Sequence, residues 1–130
     1  MGRLMPRHPP EARHIAIGRQ GEQHAAKYLK KQGLRILQRN YRIAAGEIDI
    51  VAEDGQTLVF VEVKTSSGSA FGSPESWVTP RKRAQVARIA AAYLQEHAID
   101  DQDCRFDVVG IQMYDAAKPV IRHLKNAFCL

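Results

Sequence analysis

The sequence predicts an α/β fold in which a mixed β-sheet is flanked by helices. Three observations carry this reading. A helical pattern, three strand-like runs, a second helical pattern and two further strand-like runs follow one another along the chain. An Asp54-Gly55 turn joins two of the runs into a hairpin. No internal repeat interrupts the order, and helices interspersed with strands in this way pack on a shared sheet. At 130 residues the chain has the length of one domain, long enough to bury about two thirds of its unfolded surface.

Residues 1–11 read as a disordered basic tail, because Pro6, Pro9 and Pro10 discourage helix; residues 12–130 read as a single domain. A helix is expected from about Ala12 to Gln32, with Gly33 as its stop and Lys30 and Lys31 well placed against the dipole of its last turn. Its apolar side is Ile15, Ala25, Ala26, Tyr28 and Leu29. Gly18 and Gly21 each cost such a helix about 1 kcal/mol relative to alanine. Either the backbone approaches the sheet or a phosphate closely there, or the helix begins only at Gly18.

Leu34 to Tyr41 alternates as a first strand, with Leu34, Ile36 and Gln38 against Arg35, Leu37 and Arg39. The hairpin follows over 46–64. The Ser/Gly/Pro-rich stretch 66–76 is a loop, anchored by Phe71 and then Trp77, and its length marks it as functional. Thr79 and Pro80 form an N-cap and first helical residue, opening a helix to about His97 whose stripe is Val86, Ile89, Ala90, Tyr93 and Leu94. Cys104–Gln112 and Val120–Leu124 are two more strands.

The hairpin carries charges where packing alone would place apolar residues. Strand alternation puts Glu62 and Lys64 on one face with Leu58 and Phe60, and Val59, Val61 and Val63 on the other. A turn centred on Asp54 and Gly55 sets Asp49 opposite Phe60, on the Glu62 face, while Ile48, Ile50 and Ala52 match the valine face. Diagonal neighbours across strands lie about 7–8 Å apart, within reach of two short acids that converge on one ion. Two carboxylates against one lysine leave a charge deficit that a divalent metal would cover. The plainer alternative is an edge strand on which Glu62 and Lys64 pair with each other in water.

Lys+Arg number 19 against Asp+Glu 14, a net charge of +5 with an isoelectric point near 9.5, which suits a polyanionic partner without demanding one. Cys104 and Cys129 are too few and too far apart for a disulfide framework or a zinc pair, and the default is a reduced, cytoplasmic protein. The N-terminus lacks the apolar run of a secretory signal. No stretch approaches the ~18 apolar residues of a membrane span. Pro6 stands where a myristoylation signal has Ser or Thr.

Glu22, Asp49, Glu62 and Lys64 together resemble the active-site set of the PD-(D/E)xK nuclease superfamily, in which an acid on one strand precedes acid-x-lysine on the next. The ordered set Gly18-Arg19-Gln20-Gly21-Glu22, Arg39-Asn40-Tyr41-Arg42, Gly46-Glu47-Ile48-Asp49, Phe60-Val61-Glu62-Val63-Lys64-Thr65, Phe71-Gly72 and Arg105-Phe106-Asp107 resembles the successive motifs of the YraN-like family, grouped with the endonucleases. It covers roughly residues 15–112. One position departs: Ser66 stands where members commonly carry arginine, which removes a basic contact there.

The resemblance implies a restriction-endonuclease-like (Holliday-junction-resolvase-like) fold with an α-β-β-β-α-β core, and an Mg²⁺- or Mn²⁺-dependent endonuclease acting on nucleic acid, DNA before RNA, with branched or otherwise structured DNA included. By the same resemblance Asp49 and Glu62 hold the metal, the Val63 backbone carbonyl adds a ligand and Glu22 contributes directly or through water, while Lys64 orients the attacking water or stabilises the pentavalent state. The residues alone favour a solvated carboxylate for Glu22; its place after Gly21 in the motif reverses that. Glu47 is an acid beside the site with an open role, and Asp107 reads as half of a structural pair, its motif position leaving a minor supporting role at the site open.

Arg81, Lys82 and Arg83 crowd a helix N-terminus that disfavours cations by about 0.3–1 kcal/mol each. Together with Arg39 and Arg42 they are the candidate nucleic-acid contacts, with an ordinary solvated face as the alternative. The five histidines show no metal-ligand spacing. Two other classes of function compete: a non-catalytic nucleic-acid-binding module of the same fold, against which the intact Asp49, Glu62 and Lys64 argue, and a protein-interaction domain, for which the sequence shows no large apolar patch. No membrane association is expected, and a homodimer stays open.

Overall fold

A 22-residue helix, α1 (Pro10–Lys31), leads into three antiparallel strands, β1 (Arg35–Ile43), β2 (Gly46–Asp54) and β3 (Thr57–Ser66); α2 (Pro80–Glu96), β4 (Cys104–Gln112) and β5 (Val120–Phe128) follow. The computed structural model describes residues 10–66, 77–113 and 118–128, with side chains from Gly18 onward. Pro10 and Glu11, expected in the tail, instead open α1, where a first-turn proline loses no helical hydrogen bond; the expected tail up to Pro9, Phe71 with most of the loop, and Cys129 lie outside the described residues.

The strands form one five-stranded sheet in chain order. All neighbours are antiparallel except β3 and β4; a parallel pair needs a long crossover, and the segment containing α2 supplies it. The two helices cover opposite faces. On one, Ala25, Ala26 and Leu29 of α1 pack on Ile50, Ala52, Val59, Val61, Val109 and Ile111. On the other, Val86, Ile89, Ala90 and Tyr93 of α2 pack on Ile48, Val51, Leu58, Phe60, Phe106 and Val108. The predicted faces of β3 hold: valines meet α1, and Leu58 and Phe60 meet α2.

Local signals account for the element ends. Gly33 has φ +93, and the Leu34 N–H donates to the Leu29 carbonyl at 3.0 Å, so a glycine stops α1 as expected. Thr79 caps α2 by accepting from the Lys82 N–H at 3.1 Å. β5 runs four residues beyond the predicted Leu124. Arg122, Lys125 and Asn126 hid the alternation, and a bulge with Asn126 at φ +52 interrupts the ladder.

α1 starts well before Gly18, so the shorter helix is excluded, and its two glycines differ. A Cβ on Gly21 would run into the Thr65 side chain of β3, whereas one on Gly18 would meet nothing within 4 Å. Close approach to the sheet therefore explains Gly21 alone. Gly21→Ala is expected to cost about 1–2 kcal/mol, overpacking outweighing the gain in helix propensity. Gly18→Ala should instead stabilise by about 0.5–1 kcal/mol. Urea unfolding of the two variants checks this, and equal effects would contradict the packing argument.

Candidate functional site

The hairpin turns at Gly55–Gln56, with Asp54 paired to Thr57, one position later than predicted. Val51 rather than Asp49 therefore faces Phe60. A two-residue change of register preserves the faces, and Ile50 and Ala52 stay with the valines. Ile48 does not; it lies in the α2-side core. The break falls beside Asn40. The pairs Arg39↔Ile50 and Tyr41↔Ile48 put Asn40 next to Asp49, and Asn40 has φ +56, a left-handed conformation that asparagine tolerates better than most residues.

The ladder between β2 and β3 runs only from Asp54↔Thr57 to Ile50↔Val61. Past it, the Val63 N–H donates to Asp49 Oδ2 at 2.7 Å, so a side chain takes the place of a strand partner. Val63, expected to offer its carbonyl, contributes its N–H. Glu22 of α1 and Glu47 of β2 converge on the same point, and carboxylate oxygens of Glu22, Glu47 and Asp49 all lie within 4.8 Å of one another. Two oxygens on opposite sides of one Mg²⁺ are about 4 Å apart, so the three acids are spaced such that they could hold one ion after modest side-chain adjustment.

Asn40 ties the group together. With its amide nitrogen facing the acids, it donates to Glu47 Oε1 at 2.6 Å and Glu22 Oε2 at 3.0 Å. Arg42 pairs with Glu47 at 2.6 Å, and Arg39 lies 3.9 Å from Glu22. These acids open into a cleft of about 520 Å³ lined by Gly18, Arg19, Glu22, Asn40, Arg42 and Glu47.

Glu62 stands beside this group but outside it. Its cation is not Lys64 but Lys82, with Nζ 3.1 Å from Oε1, which sets aside the expected surface pairing of Glu62 with Lys64. Lys64 is half-buried and makes no ion pair or side-chain hydrogen bond among the described residues. Of the other expected phosphate contacts, Arg83 lies over the Phe128 ring at 5.8 Å and Arg81 is exposed.

Burial and then the Glu62 charge push the Asp49 carboxyl up to about 7, against the Val63 hydrogen bond that favours its ionised form. Burial raises Glu62 as well, with Lys82 opposing. Burial followed by the Glu47 charge raises Glu22. The acids thus crowd one another in a partly dry pocket, and among the described residues Asp49 has no cation of its own.

Asp107 is structural, as its pairing predicted. It accepts from Arg105 Nε at 3.1 Å and the Asn126 N–H at 3.0 Å, and lies 2.7 Å from His123 Nε2. Burial pushes its carboxyl up, but these bonds prevail and hold it below the ordinary range. Glu47, read from the sequence as an acid beside the site with an open role, joins the acid group; the part played by Asn40 and the contact between Lys82 and Glu62 were not assigned from the sequence. Asparagine inside a strand run was the available signal for the first kink; nothing local announced the Lys82 contact.

A five-stranded mixed sheet between two helices, with an acid and an acid-x-lysine where β2 and β3 part, defines a restriction-endonuclease-like α/β protein. The chain belongs to the uncharacterised protein family UPF0102, whose sequence profile matches residues 21–111, and the YraN-like resemblance points to the same group. It is 47% identical over 116 residues to the UPF0102 protein of Trichlorobacter lovleyi, covering 88% of this chain and 91% of that one. To the UPF0102 protein of Geotalea daltonii it is 47% identical over 114 residues (88% and 90%), and to that of Nocardia farcinica 45% over 113 (87% and 89%). None of these names states an activity. Among the described residues, no helix is long and apolar enough to cross a membrane.

Proposed function

We propose that this protein is a metal-dependent endonuclease that hydrolyses phosphodiester bonds in nucleic acid, DNA before RNA, structured DNA included. The observation that carries the reading is Asp49: a half-buried carboxylate beside three further acids, with one N–H donor and no cation among the described residues, is short of the charge compensation that a proton or a metal ion supplies. Hard carboxylate oxygens fit Mg²⁺ or Mn²⁺, with Asp49, Glu22 and Glu47 as holders and Glu62 at the border. Bound there, the ion supplies a water of lowered pKa and offsets charge that develops on the scissile phosphate.

The chain's own residues divide the remaining work. The Val63 N–H fixes the Asp49 carboxylate, and Asn40 orients Glu22 and Glu47. Lys64, not engaged by any described acid, is available to orient the attacking water or to neutralise the pentavalent phosphate. Arg19 and Arg42 at the rim of the acidic cleft, with Arg39 and with Arg81 and Arg83 on α2, would meet backbone phosphates.

The test is incubation with branched, nicked, flapped and single-stranded DNA in Mg²⁺ or Mn²⁺, beside Glu62→Gln. Cleavage of at least one substrate by the wild type, lost in EDTA and in the variant, is expected. Binding without cleavage of any substrate would make the non-catalytic module the better account.

A further inference from the structure

We propose that Lys82 is a built-in competitor for the divalent ion, holding the Glu62 carboxylate when no ion is bound and yielding it when one enters. The inference rests on the metal-centre reading above and names a positioning residue that the acid-x-lysine pattern does not contain.

Four observations lead to it. Lys82 Nζ lies 3.1 Å from Glu62 Oε1, and the two side chains are 33% and 27% exposed, so the pair is partly shielded and not an ordinary solvated contact. Glu62 is the only one of the four site acids held by a lysine; Glu22 and Glu47 have arginines nearby and Asp49 has no cation among the described residues. Lys82 sits in the first turn of α2 with Arg81 and Arg83 and no acid, where the helix dipole opposes a cation, so Glu62 is what favours the ammonium at this place. Finally, Lys82 also lines a second, open cleft of about 570 Å³ with Thr79, Arg81, Gln85 and Arg88. A displaced ammonium therefore has a place to turn into.

The residue type suits the role. An ammonium is a compact charge on a flexible stem and engages one oxygen here, whereas a guanidinium would clamp both. An ion bound next to Glu62 and an ammonium on the same carboxylate repel each other, so occupancy by one weakens the other. Lys82 lowers metal affinity in this scheme and offsets the Glu62 charge until an ion arrives.

The experiment is Mn²⁺ binding to the full chain without nucleic acid, followed by electron paramagnetic resonance, for the wild type, Lys82→Met, Lys82→Gln, Lys82→Arg and Lys64→Met. Lys82→Met and Lys82→Gln should each bind Mn²⁺ about three- to ten-fold tighter than the wild type, an effect typical of coupling between neighbouring sites. Lys82→Arg, which keeps the charge, should stay below the wild-type affinity or equal to it, and Lys64→Met should change affinity less than Lys82→Met. Thermal melts verify that each variant is folded, and the glutamine variant serves if methionine disturbs the fold. Unchanged or weaker Mn²⁺ binding by folded Lys82→Met and Lys82→Gln, with a wild type that binds, overturns the role of Lys82 alone. If neither the wild type nor any variant binds Mn²⁺, the metal-centre reading falls and this inference with it.

Discussion

Asp49→Asn is expected to abolish cleavage and yet stabilise the metal-free protein above pH 7. The carboxyl titrates near 3.9 in an unfolded chain and at about 7 in the fold. Between these values the native state keeps a proton that the unfolded state releases, so native stability falls as pH rises from about 4 to 7 and stays low above it. Below pH 4 both states are protonated and the penalty vanishes. A displacement of this size sets a ceiling of roughly 4 kcal/mol; relaxation and water entry screen such charges, and about 2 kcal/mol is the expected gain. Asparagine retains an oxygen to accept the Val63 N–H. Urea unfolding in EDTA at pH 4 and pH 8 should show the variant matching the wild type at the first and exceeding it at the second. A variant less stable at pH 8 would mean that Asp49 is a structural hydrogen-bond acceptor and not a strained ligand.

The second large effect separates the two charged residues of β3. Glu62→Gln keeps the shape of the side chain and removes its charge, so cleavage should fall by at least about 10²-fold, the scale of a lost electrostatic group in a phosphoryl-transfer site. Nucleic-acid binding should persist or tighten, since one repulsive charge is gone and Lys82 is released. Lys64→Ala should lose cleavage to a similar degree while its Mn²⁺ affinity stays within about two-fold, because a lysine orients or neutralises and does not ligate. Filter binding and Mn²⁺ binding on both variants distinguish them. If both cut at the wild-type rate, neither residue is catalytic.

Much of the fold was legible because it rests on local chemistry. Thr79-Pro80 starts α2, Gly33 ends α1, and the alternation of valines against Leu58 and Phe60 assigns the two faces of β3. The site was legible in part. Asp49, Glu62 and Lys64 were identified by their cost to a largely apolar hairpin, and Glu22 by its motif. What escaped was longer in range. The turn slid to Gly55–Gln56, since Asp-Gly specifies a turn better than its centre. The left-handed Asn40 lies beside the point where Ile48 leaves the valine face, and Lys82, twenty residues from Glu62 in sequence, met it only through the crossover of α2. β5 outran its prediction because a bulge and exposed polar residues erase the period-two signal.

The central claim is that the acids where β2 and β3 part hold a divalent ion, and Mn²⁺ binding at pH 8 by the wild type and by Asp49→Asn, each with and without DNA, tests it most directly. The account predicts saturable binding by the wild type that Mg²⁺ displaces and that Asp49→Asn loses by at least about ten-fold, since losing even a hydrogen-bond partner of a metal ligand costs about that much in affinity. Equal binding by the two proteins, or none by the wild type even with DNA present, would contradict it.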